Sequence, residues 1–224
     1  MSNLPHQRIL LSMKKLFVLA MALLLPLTAC AEAKYEQGKQ YDVVADVATS
    51  KPEVKEFFSF YCPHCYQFEP IMQSVEHKLP EGTSFKKMHV DFLRAASPEL
   101  QEALTRAYVV ADFQHQGDKI AMAFFNRIHR DRAGFANADD IRQLMLINDF
   151  DAATYDKALK SFSVNSAVKQ MKKEQTELSD RRILTGVPML LVNGKYRINL
   201  AELDRKNVEQ DLQNLIAFLL AKDA

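Results

Sequence analysis

The sequence predicts an α/β protein in which a central mixed β-sheet flanked by helices is interrupted by an all-helical segment. Three observations carry that prediction. A strand, a helix and a second strand follow one another between Val54 and Phe92, no convincing strand appears from Ser97 to Leu178, and two apolar runs joined by Asn193-Gly194 precede a last amphipathic helix. A strand–helix–strand crossover of this length pairs its strands in parallel, whereas an Asn-Gly hairpin pairs them antiparallel. The expected sheet is therefore mixed.

The chain opens on an export leader, expected over residues 1–31 with its end between 29 and 33. Lys14-Lys15 is followed by a nearly unbroken apolar run from Leu16 to Leu27 and then by small residues, which is the order of a secretory signal. The run is too short to make a good membrane span. Met13 would start a tidier leader than Met1. Two readings of its end stand side by side. Leu27-Thr28-Ala29-Cys30 resembles a bacterial lipobox with Cys30 as the lipid-bearing residue, and Ala29-Cys30-Ala31 or Ala31-Glu32-Ala33 would serve ordinary cleavage.

After the leader, Tyr41-Asp42-Val43-Val44 is a short strand candidate, and the loop that follows ends at Pro52. Val54 to Tyr61, rich in Phe, reads as a buried strand. A helix then carries Phe68, Ile71, Met72 and Val75 at helical spacing, with Pro70 inside it and Pro80-Glu81-Gly82 beyond its end. Thr83 to Phe92 is the next strand. Ser97-Pro98 supplies an N-cap and a first-turn proline for a helix through Leu100, Leu104, Ala107, Tyr108 and Ala111. Ile120, Phe124 and Ile128 mark a second helix, Asn137 and Asp140 start a third through Ile141, Leu144 and Met145, and Asp151 starts a fourth through Tyr155 and Phe162. A charge-rich fifth helix is expected from about Asn165 to Leu178. Met189 to Val192, Asn193-Gly194 and Lys195 to Ile198 form the hairpin, and Val208 to Ala221 the last helix.

Composition narrows the function. Removing the leader takes away Arg8, Lys14 and Lys15, so the 29 basic residues fall to 26 against 28 acidic ones and the net charge to −2. A mildly acidic domain without a basic aromatic patch is a poor nucleic-acid binder. About 190 remaining residues build a core that needs no disulfide to hold it.

Cys62-Pro63-His64-Cys65 is the motif that carries chemistry. It lies where the Phe-rich strand gives way to a helix, and a helix N-terminus offers free N–H groups and a partial positive charge that favour a thiolate at Cys62. His64 adds a positive charge when protonated. Zinc would need four ligands, but the only other cysteine is Cys30, and His77, His89, His115 and His129 are scattered without ligand spacing. A structural disulfide across so small a loop would remove little chain entropy. Redox chemistry is the reading that remains, and an exported cysteine pair meets an oxidising compartment.

Glu56-Phe-Phe-Ser-Phe-Tyr-Cys-Pro-His-Cys-Tyr-Gln-Phe-Glu69, Gly186-Val-Pro188 and Val192-Asn-Gly-Lys-Tyr196 resemble the DsbA family of periplasmic oxidases. The resemblance runs from Tyr35 to the last helix and is weakest in the helical segment. It implies a thioredoxin-like fold over 34–92 and 179–224 with an inserted all-helical domain over 93–178. It implies that Cys62 is the exposed nucleophile, Cys65 the buried resolving thiol, and Pro63 and His64 the dipeptide that sets oxidising power. It further implies that Pro188 is a cis-proline facing the disulfide and that Val187 offers its backbone to an extended substrate. Glu56, which alone would be placed at an edge or facing outward, would be a buried acid beneath the site, with Lys87 as its partner and Glu69 completing the cluster. His89 matches a family position and is expected to pack or make a structural hydrogen bond.

The implied reaction takes thiols of newly exported, unfolded or partly folded proteins as substrate. It needs no cofactor beyond the Cys62–Cys65 disulfide, and a DsbB-type inner-membrane quinone reductase reoxidises it. A periplasmic monomer is expected. A reductase or isomerase is the competing redox reading, although periplasmic isomerases resemble dimers with an N-terminal dimerisation domain for which no room exists before Tyr41. A thiol-dependent chaperone is the competing reading from another class. The chain departs from the family at Leu200-Ala201-Glu202, where close relatives carry a Pro-containing loop beside the groove, and it has no Trp.

Overall fold

The computed structural model describes residues 34–222. The expected leader and Cys30 lie outside them, and among the described residues no helix is long and apolar enough to cross a membrane. The elements are strands β1 (Tyr41–Val43) and β2 (Glu53–Phe58), helix α1 (Pro63–His77) and strand β3 (Ser84–His89). Helices α2 (Pro98–Phe113), α3 (Gly117–Phe125), α4 (Ala138–Ile147), α5 (Ala152–Leu159) and α6 (Phe162–Asp180) follow, with a π-helical turn over Asn126–Arg130 extending α3. Strands β4 (Met189–Val192) and β5 (Tyr196–Ile198), a 3-10 turn at Leu200–Glu202 and helix α7 (Val208–Ala221) complete the chain.

The sheet order is β1-β5-β4-β2-β3. Only β2 and β3 pair in parallel; β4 lies antiparallel to β2, and β5 antiparallel to both β4 and β1. This is the mixed sheet that the crossover and the hairpin imply, in the thioredoxin-like arrangement that the resemblance implies. Asn193 and Gly194 both take positive φ (52° and 62°), and the Lys195 N–H closes on the Val192 carbonyl at 3.0 Å. That is the geometry for which an Asn-Gly pair is suited.

Several boundaries differ from the sequence reading, each for a local reason. Strand β2 stops at Phe58 rather than Tyr61, because Ser59 turns the chain: its carbonyl accepts the Cys62 N–H at 3.0 Å and its hydroxyl the Tyr61 N–H at 3.2 Å. Helix α6 starts at Phe162, not near Asn165, because Ser161 is its cap and accepts the Val164 N–H at 3.3 Å. The predicted caps Ser97, Asn137 and Asp151 each accept an N–H three residues ahead. Such a bond contributes about 1 kcal/mol. Pro70 sits within α1, which runs unbroken from Pro63 to His77.

The described residues from Tyr35 onward make one compact unit. The alternation along β2 divides its side chains between layers. Val54 packs with α1 and α7 through Met72, Val75, Leu212 and Ile216. Phe57 faces the other side, against Ile183, Leu184, Met189 and Leu191. Phe58 and Phe60 enter a cluster with Leu104, Tyr108, Ile120, Phe124 and Phe125, and both Cys62 and Cys65 belong to that same cluster. Phe60 is its hub, with ring centroids 5.0 Å from Phe58, 5.1 Å from Phe124 and 5.2 Å from Phe125. The helical segment is thus packed directly behind the residues that carry the chemistry.

Phe124 is fully buried and also meets Phe135 edge to face. Phe124→Ala is expected to lower the unfolding free energy by about 3–5 kcal/mol, read from urea denaturation.

Candidate active site

Cys62 is the N-cap of α1. Its backbone is extended (φ −93°, ψ 114°), Pro63 opens the helix, and the Cys65 N–H donates to the Cys62 sulfur at 3.3 Å. Both cysteines are free thiols here. The hydrogen bond with the Cys65 side chain is the largest influence on the Cys62 thiol. The N–H groups of Cys65 and His64 and the charge of His64 add to it, and together they outweigh burial and bring its pKa down to about 6. Cys62 is not the exposed nucleophile expected: only 5% of its surface is open, because the cis-proline loop at Val187 closes on its sulfur. Cys65 is completely enclosed, and burial followed by its bond to Cys62 pushes its thiol far above the ordinary range. One sulfur is prepared to ionise and the other to stay protonated.

The remaining predicted site residues surround this pair unevenly. Pro63 and His64 are exposed on the first turn of α1. Val187 and Pro188 are partly buried, the bond between them is cis, and the Cys62 thiol donates to the Val187 carbonyl at 3.4 Å. The loop before β4 is thereby brought against the nucleophilic sulfur. The Leu200-Ala201-Glu202 segment forms its 3-10 turn with Asn199 accepting the Ala201 N–H.

Glu56 does not face outward. It is fully buried on β2, opposite Lys87 in the parallel register, with Lys87 Nζ 3.7 Å from its nearer oxygen. Lys87 instead donates to both carboxylate oxygens of Glu69 on α1, at 2.5 and 2.6 Å, while neither oxygen of Glu56 has a hydrogen-bond partner. Burial raises the Glu56 carboxyl to about 7, the Lys87 charge opposing and the Glu69 charge assisting that rise. Burial works against the Lys87 ammonium, but Glu56 and Glu69 outweigh it and hold its pKa above the usual value. The Glu56 charge is also felt at Cys65, where it helps to raise the thiol.

His89 is a packing residue. Its ring stacks on Phe60 at 4.7 Å, and Nδ1 lies 2.7 Å from the Thr105 hydroxyl. That hydroxyl donates to the Gln101 carbonyl, so Nδ1 carries a proton and donates to Thr105. Burial lowers the His89 pKa to about 3 and keeps it neutral. Sequence reasoning missed Ser59, whose turn delivers Cys62 to its cap position, and Tyr66 and His129, whose rings stack beside the site at 5.2 Å. Ser before an aromatic pair could have suggested a turn; nothing in the spacing links residues 66 and 129.

The chain is similar to known proteins of a single family. The DSBA-like thioredoxin domain matches residues 53–213. The thiol:disulfide interchange protein DsbA of Escherichia coli is 37% identical over 204 residues, covering 90% of this chain and 94% of the relative. The protein of that name from Pectobacterium carotovorum is 38% identical over 216 residues, covering 94% of this chain and all of the relative (100%). Among solved structures, Proteus mirabilis DsbA with the non-covalently bound peptide PWATCDS is similar at a TM-score of 0.74 and 33% identity, covering 84% of this chain and 100% of that one.

Two titrations test the electrostatics. In the reduced protein, ultraviolet thiolate absorbance is expected to show one thiol with a midpoint of about 6, absent in Cys62→Ser. Because that pKa lies below the ordinary 9.0, the reduced form gains stability as pH rises between the two values, and the oxidised form does not. Glu56 has the opposite sign: its folded pKa of about 7 exceeds the ordinary 4.5, so stability falls as pH rises through that window. Glu56→Gln is expected to stabilise the protein above neutral pH by on the order of 2 kcal/mol and to lose that advantage at acidic pH, measured by urea unfolding.

Proposed function

The chain belongs to the DsbA-like thioredoxin family and is a thiol:disulfide oxidoreductase, and from that premise we propose that it is a dithiol oxidase of exported proteins. The observation that carries this reading is the contrast between the two sulfurs: Cys62 caps α1 and is acidified, whereas Cys65 is enclosed and held as a thiol. A sulfur whose thiolate is stabilised leaves readily, and stabilising the dithiol form makes the corresponding disulfide a stronger oxidant.

The reaction starts from the Cys62–Cys65 disulfide. A substrate thiolate attacks Cys62 Sγ, the bond to Cys65 breaks, and Cys65 departs with the electron pair and takes up a proton. Glu56, whose carboxyl retains a proton close to neutrality and whose charge reaches Cys65, is the group we assign to supply it. A second substrate thiolate then attacks the substrate sulfur of the mixed disulfide and releases Cys62 as a thiolate. The substrate loses two electrons and gains a disulfide; the oxidase ends as a dithiol.

Substrate peptides are assigned to the loop at Val187 and Pro188. An extended chain laid beside Val187 would present its cysteine to the sulfur 3.4 Å from that carbonyl. The peptide-bound Proteus mirabilis structure supports a site for short cysteine-containing peptides in the family. His64 and Pro63, exposed beside Cys62, border the same approach. The reading includes the division into 34–92 with 179–224 and a helical insertion over 93–178, a periplasmic location, action as a monomer, and reoxidation by a DsbB-type inner-membrane quinone reductase.

Equilibration with glutathione, followed by thiol trapping of Cys62 and Cys65, tests the direction. The equilibrium is expected to lie far toward reduced protein and oxidised glutathione, and Cys62→Ser is expected to abolish oxidation of a dithiol peptide. An equilibrium close to that of thioredoxin would instead establish a reductase.

A further inference from the structure

Cys62 sits at the end of a short suspended segment. Strand β2 ends at Phe58, α1 begins at Pro63, and between them Ser59, Phe60 and Tyr61 carry the chain to the nucleophile. Ser59 closes the turn through its contacts with Tyr61 and Cys62. The Phe60 carbonyl points elsewhere: it lies 2.8 Å from Nε2 of His129. A carbonyl can only accept, so Nε2 carries the proton and His129 donates.

The same histidine holds the other side of the nucleophile. Tyr66 directly follows Cys65 on α1, and its ring lies parallel to that of His129, at 5.2 Å and 12°. The Tyr66 hydroxyl donates to Asn126 Oδ1 at 3.0 Å. Asn126 and His129 both belong to the π-helical turn, where the Asp131 N–H reaches back five residues to the Asn126 carbonyl. Turns of this kind inside helices recur at functional sites. This one brings a donor and an acceptor from the helical segment to Phe60, two residues before the cysteine pair, and to Tyr66, directly after it.

We propose that His129 is a positioning residue for the thiol–disulfide exchange, fixing Cys62 through the Phe60 carbonyl and the Tyr66 ring. The N–H groups of His64 and Cys65 act on the Cys62 sulfur only while the cap residue holds its place relative to the first turn of α1. Phe60 is fully buried, so its carbonyl, once deprived of the donor, has to find a new partner, and the turn carrying Cys62 moves with it. The inference rests on Cys62 being the attacking thiol, as proposed above.

The test uses the whole protein and two readouts: the thiolate titration of the reduced form and the equilibrium constant with glutathione. H129F keeps an aromatic ring against Tyr66 and removes the donor; H129Q supplies a donor without the ring. In H129F the thiolate midpoint is expected to rise and the equilibrium to shift toward the oxidised protein by roughly threefold or more, with H129Q recovering most of the change. An unchanged titration and equilibrium in H129F, whatever happens to its thermal stability, would overturn the proposal, as would an equal change in H129Q. Should H129F not fold, Y66F removes only the hydroxyl bonded to Asn126. A smaller shift in the same direction supports the brace, and none overturns it. A wild-type protein with no thiol titrating in the acidic range would overturn the assignment of Cys62 itself, separating that failure from a failure of the brace.

Discussion

The first N–H groups of an α-helix have no partner within the helix, and α1 gives one of its own to the sulfur of Cys62. That bond has two effects that cannot be separated. It caps the helix, and it stabilises negative charge on the capping atom, since a thiolate accepts a hydrogen bond better than a thiol does. The rest of the site follows from keeping this atom in position. Ser59 must turn the chain directly after β2, Pro63 must start the helix where no N–H is needed, and the loop at Val187 must come close enough to meet the sulfur.

Beneath the cap, the protein keeps a charged cluster in a place where apolar packing would be cheaper. Lys87 is satisfied by Glu69, and its ammonium also lies 5.1 Å from the centre of the Phe58 ring. Glu56 is left with a distant cation and no donor. A fully ionised carboxylate there would carry a large desolvation cost, and burial accordingly raises its pKa to about 7, favouring the protonated form. In the function proposed above, that proton serves the leaving Cys65 thiolate, which must become a thiol.

Much of this was legible in the sequence because it rests on local rules. Asn193-Gly194 declares a hairpin through backbone conformations that few other residues adopt, and Ser97, Asn137 and Asp151 declare helix starts through donors only a few residues away. Cys62 and Cys65 were legible for the same reason, since capping joins neighbours in the chain. What was not legible depends on contacts across the fold. The strand pattern alone places Glu56 at an edge or outward, and only packing of α1 over β2 encloses it. The end of β2 at Phe58 depends on a serine side chain folding back on its own backbone. The meeting of Tyr66 with His129 spans more than sixty residues and leaves no periodic trace.

The aromatic cluster around Phe60 contains both cysteines and the inner faces of α2 and α3. Whatever free energy the change from disulfide to dithiol imposes on that cluster, the cluster imposes in equal measure on the change from disulfide to dithiol, since coupling of this kind is reciprocal. The helices are in that sense a second reactant. A substitution in that cluster that favours the packing of one redox form over the other would shift the disulfide–dithiol equilibrium without touching the four residues of the motif.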